Sequence, residues 1–185
     1  MKYVILAFVV GIFSLTFEAG QAQPVMAATP VADAAASLVM AEAKPDARVA
    51  QLEAYLASHN SPMTQAAGHF VAEADRLDLD WRLVAAIAGA ESTFGKHVPA
   101  GSYNGWGWGI PTGAQSGIAF KDWEAGITTV SEGLRKNYIN RGAVTVEQIG
   151  RIYAASPRWA SNVRFFLNKI EEFTPRGSQL LAVTI

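Results

Sequence analysis

The chain contains no cysteine. That absence excludes disulfides, thiol catalysis, cysteine-ligated zinc or iron–sulfur sites and a lipidated-cysteine anchor together. Histidine is scarce: His59, His69 and His97 show no H-E-x-x-H spacing, so neither a metal nor a cofactor is read from the sequence. Charge is sparse too, at 17% of residues with a formal net charge of −1 and no long Lys/Arg run. Nothing in that balance calls for nucleic acid or an anionic membrane surface, and a neutral or mixed polymer is the better partner. The longest apolar run, Tyr3 to Phe17, falls short of the ~20 residues of a spanning helix. No internal repeat is present.

What the chain does have is apolar residues, 50% of its 185 positions. That is enough for one buried core, given ~100–200 residues per domain. At the N-terminus Lys2 precedes the apolar run, and small residues follow with Gly20 and Ala22 placed before Gln23. This is the build of a secretory signal over residues 1–22. Residues 23–45 are rich in Ala, Pro and Val without a sustained period, as expected of a linker. The folded domain is assigned to 46–173 and a loose tail to 174–185. The expected state is exported (secreted, periplasmic or cell-wall associated), monomeric, and without stable membrane insertion once the signal is removed.

Within the domain, start signals and apolar periodicity predict six helices. Asp46 caps one carrying Val49, Leu52 and Leu56; Ser61-Pro62 opens one with Ala66, Phe70, Ala74 and Leu77; Asp80 caps one from Trp81 to about Ser92. Asp122 precedes a helix with Ile127, Val130 and Leu134 that ends before Asn140-Arg141-Gly142. Thr145 and Gln148 make a capping-box pattern ahead of Tyr153, and Ser156-Pro157 opens the last helix through Val163, Phe166 and Ile170. With an irregular stretch from about Ser102 to Phe120, this describes a mainly α domain with a small loop or hairpin lobe.

The third helix ends unusually. Val84, Ile87, Ala88 and Glu91 fall at i, i+3, i+4 and i+7, so the acid continues the apolar stripe. The carbonyls of the last turn and the poorly solvating neighbours Ala88, Ala90 and Phe94 both favour its protonated form. A carboxyl kept protonated near neutral pH is what protonation of a glycosidic oxygen requires. The segment "SYNGWGWGI" then supplies the aromatic faces of Tyr103, Trp106 and Trp108, joined by glycines. Aromatic faces stack on the apolar faces of sugar rings, which points to a saccharide groove.

At these residues the chain resembles the glucosaminidase family of bacterial peptidoglycan hydrolases (glycoside hydrolase family 73, with the flagellar glucosaminidases), in the lysozyme-like superfamily. "AESTFGK" at Ala90 to Lys96 is similar to its E-S-x-x-G-K block, "NGWGWG" at Asn104 to Gly109 to its N-x-F-G-I-K, and "YAASPRWA" at Tyr153 to Ala160 to its Y-A-x-D-P-x-Y-A; "FKDW" at Phe120 to Trp123 resembles its F-R-x-Y. The likeness spans about Ser61 to Ile170. It departs at Trp106 and Trp108, in place of Phe and Ile, at Gly109 where lysine is usual, and at Ser156 in place of aspartate.

The resemblance implies a lysozyme-like helical fold with the small lobe beside the catalytic helix. It implies endo-β-N-acetylglucosaminidase activity on peptidoglycan glycan strands, with Glu91 as the acid and Tyr153 facing the reacting sugar. Ser92, Tyr103, Asn104, Trp106, Gly107, Trp108 and Trp159 then fall among the substrate-binding residues. Most glycosidases use a second carboxylate ~5 Å away for retention or ~6.5–9.5 Å away for inversion. Asp122 and Glu124 are the candidates, though each is also explained as a helix cap or first-turn acid. Without either, the substrate's own acetamido group serves as nucleophile. Lytic transglycosylases share the E-S and glycine-rich features, but their later Y-N-A-G block matches "YAAS" less well. A catalytically inactive wall-binding module is the remaining alternative.

Overall fold

The computed structural model describes residues 45–109 and 117–175. The expected signal, nearly all of the linker, the end of the tail and residues 110–116 of the lobe lie outside the described residues. Those described form six α-helices and two short 3-10 turns, without a strand among them. They are α1 (Ala47–Ser58), α2 (Ala67–Leu77), α3 (Leu83–Ser92), α4 (Trp123–Asn137), α5 (Val146–Tyr153) and α6 (Trp159–Glu171), with the 3-10 turns at Thr64–Ala66 and Ile139–Arg141. The fold is mainly α, and its lobe is irregular rather than a hairpin over the described residues.

Local chemistry accounts for most of the helix starts. Asp46 accepts the Arg48 amide at 2.9 Å and Asp122 the Ala125 amide at 2.8 Å, each satisfying a donor the first turn leaves open. The Thr145–Gln148 capping box forms in both directions. Asp80 accepts the Arg82 amide at 2.9 Å, one residue before α3 begins. Ser61-Pro62 behaves differently: the Ser61 hydroxyl accepts from Met63 N at 3.0 Å and donates to Phe94 O at 2.9 Å. It therefore closes a turn, and α2 proper begins at Ala67 after the 3-10 segment.

α3 is the centre of the domain. Every residue from Leu83 to Gly89 is buried, so the helix has no wet face; its alanines and Gly89 let neighbours come close. A Cβ on Gly89 would lie 2.7 Å from the Phe94 ring and 2.9 Å from that of Phe166. Its principal partner is α6, while α2 packs on α4, α1 on α2 and α5 on α6. Polar ties lock this arrangement. Gln51 Nε2 donates to the carbonyls of Ile170 and Glu171, and His69 Nε2 lies 2.8 Å from Thr128 Oγ1. Ile87, Ile127, Leu134, Val163 and Ile170 are fully buried between these helices, each contributing on the order of 1.5–3 kcal/mol of apolar transfer.

Candidate active site

Glu91 sits where α3 leaves this core. Because α3 is buried all round, no apolar stripe is there for the acid to extend; Glu91 is the first exposed residue at the helix end. Directly after it the backbone turns left-handed at Thr93, Phe94 and Gly95, with φ of 52°, 58° and 81°. A β-branched and an aromatic residue in that region cost about 1–3 kcal/mol each. Several bonds hold them there. The Phe94 amide reaches Ala88 O at 3.0 Å and the Thr93 amide reaches Gly89 O at 3.1 Å. The Phe94 ring is fully buried against Tyr55, His59 and Phe166, and Ser61 bonds its carbonyl. The outcome is a rigid stop that fixes where the acid emerges.

The carboxyl does not point freely into water. Trp159, 68 residues away in sequence and 5% exposed, donates from Nε1 to Glu91 Oε1 at 2.6 Å. The residue as a whole is exposed, yet its carboxyl end is partly shut off beside the indole. Burial pushes the Glu91 pKa above the ordinary carboxylate value, against the Trp159 bond, which lowers it. Of the carbonyls at the helix end, those of Ala88, Gly89 and Ser92 are bonded by the turn. Desolvation is the cause.

Tyr153 completes the arrangement. Its ring stacks on Trp159 at 4.8 Å and 25°, and its hydroxyl donates to Trp106 O at 2.6 Å. Burial holds its phenol well above the ordinary value, with the Glu91 charge and Tyr138 adding to the effect. Next to it Gly107, Trp108, Gly109, Tyr138 and Tyr153 line an open pocket of about 320 Å³. Trp108 is half-buried, with its ring 5.9 Å from Tyr153 and 6.2 Å from Tyr138. Gly133 of α4 makes the slot for it, as a Cβ there would sit 2.1 Å from the indole. Gly107 and Gly109 take φ of 61° and 64°, the left-handed region that favours glycine. At Gly109 this accounts for the glycine.

The residues predicted for substrate divide into two groups. Glu91, Tyr153, Gly107, Trp108 and Trp159 come together, although Trp159 serves the acid rather than offering a stacking face. Ser92, Asn104 and Trp106 are structural. Ser92 is buried and lies 2.7 Å from Gly105 O, and it accepts the Gly95 amide. Asn104 braces the lobe, donating to Trp108 O and Ile118 O at 2.8 Å each and accepting the Trp108 amide at 2.9 Å. Trp106 is fully buried, bonds Val84 O at 2.9 Å and packs near Phe70, Phe120 and Trp123. No sugar reaches its face. Tyr103 stays 37% exposed, edge-on to Trp123 at 5.2 Å, beside the pocket that holds the two acid candidates.

Asp122 and Glu124 lie on a pocket other than the one beside Tyr153. Asp122 caps α4 and lies 3.9 Å from Lys121. Both acids line a separate pocket of about 260 Å³ with Pro62, Gln65, Ala66 and Trp123. Tyr138 is the site residue that sequence reasoning missed: it follows Leu134 at i+4 on the stripe of α4 and so reads as core. Among the described residues no group of three His, Asp or Glu side chains converges as a metal site, and no helix is long and apolar enough to cross a membrane. In comparison with known proteins, the chain matches no family model and no curated protein.

Proposed function

We propose that the protein is an exported peptidoglycan hydrolase, an endo-β-N-acetylglucosaminidase of the glycan strand, with Glu91 as its general acid. One observation carries the reading: a carboxyl with a raised pKa at the rigid end of a buried helix, held by Trp159 beside an aromatic pocket. The indole N–H only donates, so Oε1 must accept. In the protonated acid the proton therefore belongs on Oε2, free to pass to the glycosidic oxygen as the C–O bond breaks. With Asp122 capping α4 and Glu124 on the separate pocket, the acetamido carbonyl oxygen of the substrate attacks the anomeric carbon. Glu91, now a carboxylate, then takes a proton from the water that opens the cyclic intermediate. The proton of Tyr153 is already donated to Trp106 O; its oxygen still accepts an amide N–H and so orients the acetamido group.

A single acid also suits a lytic transglycosylase, in which a hydroxyl of the muramic sugar is the nucleophile. A mechanism without a second carboxylate is common to both readings, and the products separate the two. Digested sacculi analysed by mass spectrometry should show reducing N-acetylglucosamine ends; anhydro-muramic ends would establish the transglycosylase, and no release would leave a wall-binding module. Glu91→Gln tests the acid itself. The glutamine Oε1 still accepts from Trp159, so fold and glycan affinity should persist while turbidity clearing falls 10²–10⁴-fold, the usual contribution of general acid catalysis. Clearing at the wild-type rate would remove Glu91 from the mechanism.

A further inference from the structure

Beyond the sugar-cleaving site, a second concavity lies on the other side of the same loop. Glu147, Gly150, Arg151 and Ala154 fall at i, i+3, i+4 and i+7, so one face of α5 forms its wall. Ala155, Ser156, Pro157 and Ala160 close it into a pocket of about 470 Å³. Tyr153 and Trp159, which bracket that loop, face the acid. The loop is thus a shared partition between the two sites. Small side chains leave the space, and Gly150 also admits the Trp159 ring, whose nearest atom would lie 2.8 Å from an added Cβ.

The pocket is electropositive. Its one carboxylate, Glu147, is paired with Arg164, which leaves Arg151 as the uncompensated charge. Lys96, Lys136, Arg141, Arg151 and Arg158 have no acidic partner, while every other described lysine or arginine has one within 3.9 Å. Of these, Arg151 lines the pocket and Arg158 follows its Pro157. In a protein with a net charge of −1, two arginines without an acidic partner at one pocket favour an anionic ligand there.

We propose that this pocket binds the short acidic peptide carried by the glycan strand, with Arg151 and the neighbouring exposed Arg158 taking its carboxylates and the alanine-lined wall its small side chains. The inference rests on peptidoglycan being the substrate and deepens that reading. Guanidinium and carboxylate match in a two-bond geometry, and the small residues lining the pocket leave room for the peptide backbone beside Arg151.

The test compares the full chain with Arg151→Gln, Arg158→Gln and the double variant on two substrates, intact sacculi and strands stripped of peptide by an amidase. Each exposed arginine should be worth roughly two- to five-fold in rate on intact sacculi at subsaturating substrate, and less as salt rises. Stripped strands should be cut at an unchanged rate. Equal losses on both substrates, or no loss on either, would overturn the proposal. Binding of the free acidic peptide to the wild-type chain, followed by amide shifts at Gly150, Ala154 and Ala155, needs no cleavage. Saturable shifts lost in Arg151→Gln support the pocket even if no glycan is cut, in which case only the hydrolase reading fails; no shifts would refute it.

Discussion

Replacing Trp159 with phenylalanine removes the one donor to the Glu91 carboxyl among the described residues and little else of the site. A phenyl ring can still stack on Tyr153 and lie against Gly150, as the indole does; the pyrrole part and its N–H are lost. Trp159 is 5% exposed, so the missing atoms leave a small void worth about 1–2 kcal/mol. The lost bond adds on the order of 1 kcal/mol, the low end for a charged partner because Glu91 is itself exposed. At about 4 °C per kcal/mol for a domain of this size, melting should fall by roughly 8–12 °C. The pH dependence carries the functional content. Glu91 has a folded pKa above its unfolded value, so the folded state holds the extra proton between the two. Stability is then lost as pH rises through that window, and the penalty is complete above the folded pKa. The Trp159 bond offsets part of it. Without that bond the loss on going from acid to neutral pH should deepen, and the alkaline limb of the kcat/KM profile, where the general acid deprotonates, should move to higher pH. Melts on both sides of the window and a pH–rate profile measure both effects. A limb that stays in place or moves toward acid, with equal melting losses at every pH, would refute the assignment of Trp159 as the group that holds the acid.

The two tryptophans of the glycine-rich segment should behave oppositely. Trp106→Ala should cost about 3–5 kcal/mol of stability, seen as a large fall in melting temperature, because the ring is fully buried and bonded to Val84 O. Trp108→Ala should chiefly weaken glycan binding, by roughly 0.5–1.5 kcal/mol of ring stacking, measured by sacculus pull-down. His59 lies against Tyr55 and Phe94, and its pKa is lowered by burial and by Lys96. Its protonation therefore favours the unfolded chain: stability should rise with pH from its lowered folded pKa to the unfolded value of about 6.5. His59→Phe should flatten that slope in melting curves taken across the window.

Much of the helical frame was legible without coordinates, because caps and apolar periodicity act within a few residues. Asp46, Asp122 and the Thr145–Gln148 box do in the structure what their sequence context implies. Where local signals conflicted with packing, packing decided. Ser61-Pro62 reads as a helix start, but the Ser61 hydroxyl is taken by Phe94 O and the chain turns. Within the candidate site, the sequence singled out Glu91 as an acid continuing an apolar stripe, whereas the structure buries α3 all round and leaves Glu91 at its end. The sequence could not rank Trp106 against Trp108: both have the same neighbours in the chain, and only the approach of α3 and α4 buries one and leaves the other half-open.

The sequence by itself determined the class of fold and the position of the acid at a helix end, since both follow from spacing along one segment. Only the tertiary structure decided what surrounds that acid. The bond from Trp159 spans 68 residues, Tyr138 joins the pocket through α4, and Asp122 and Glu124 are directed to a different pocket. Such pairings depend on how helices stack around a buried centre. No periodicity along a single helix encodes them, because each is a relation between faces that meet only when the chain has folded.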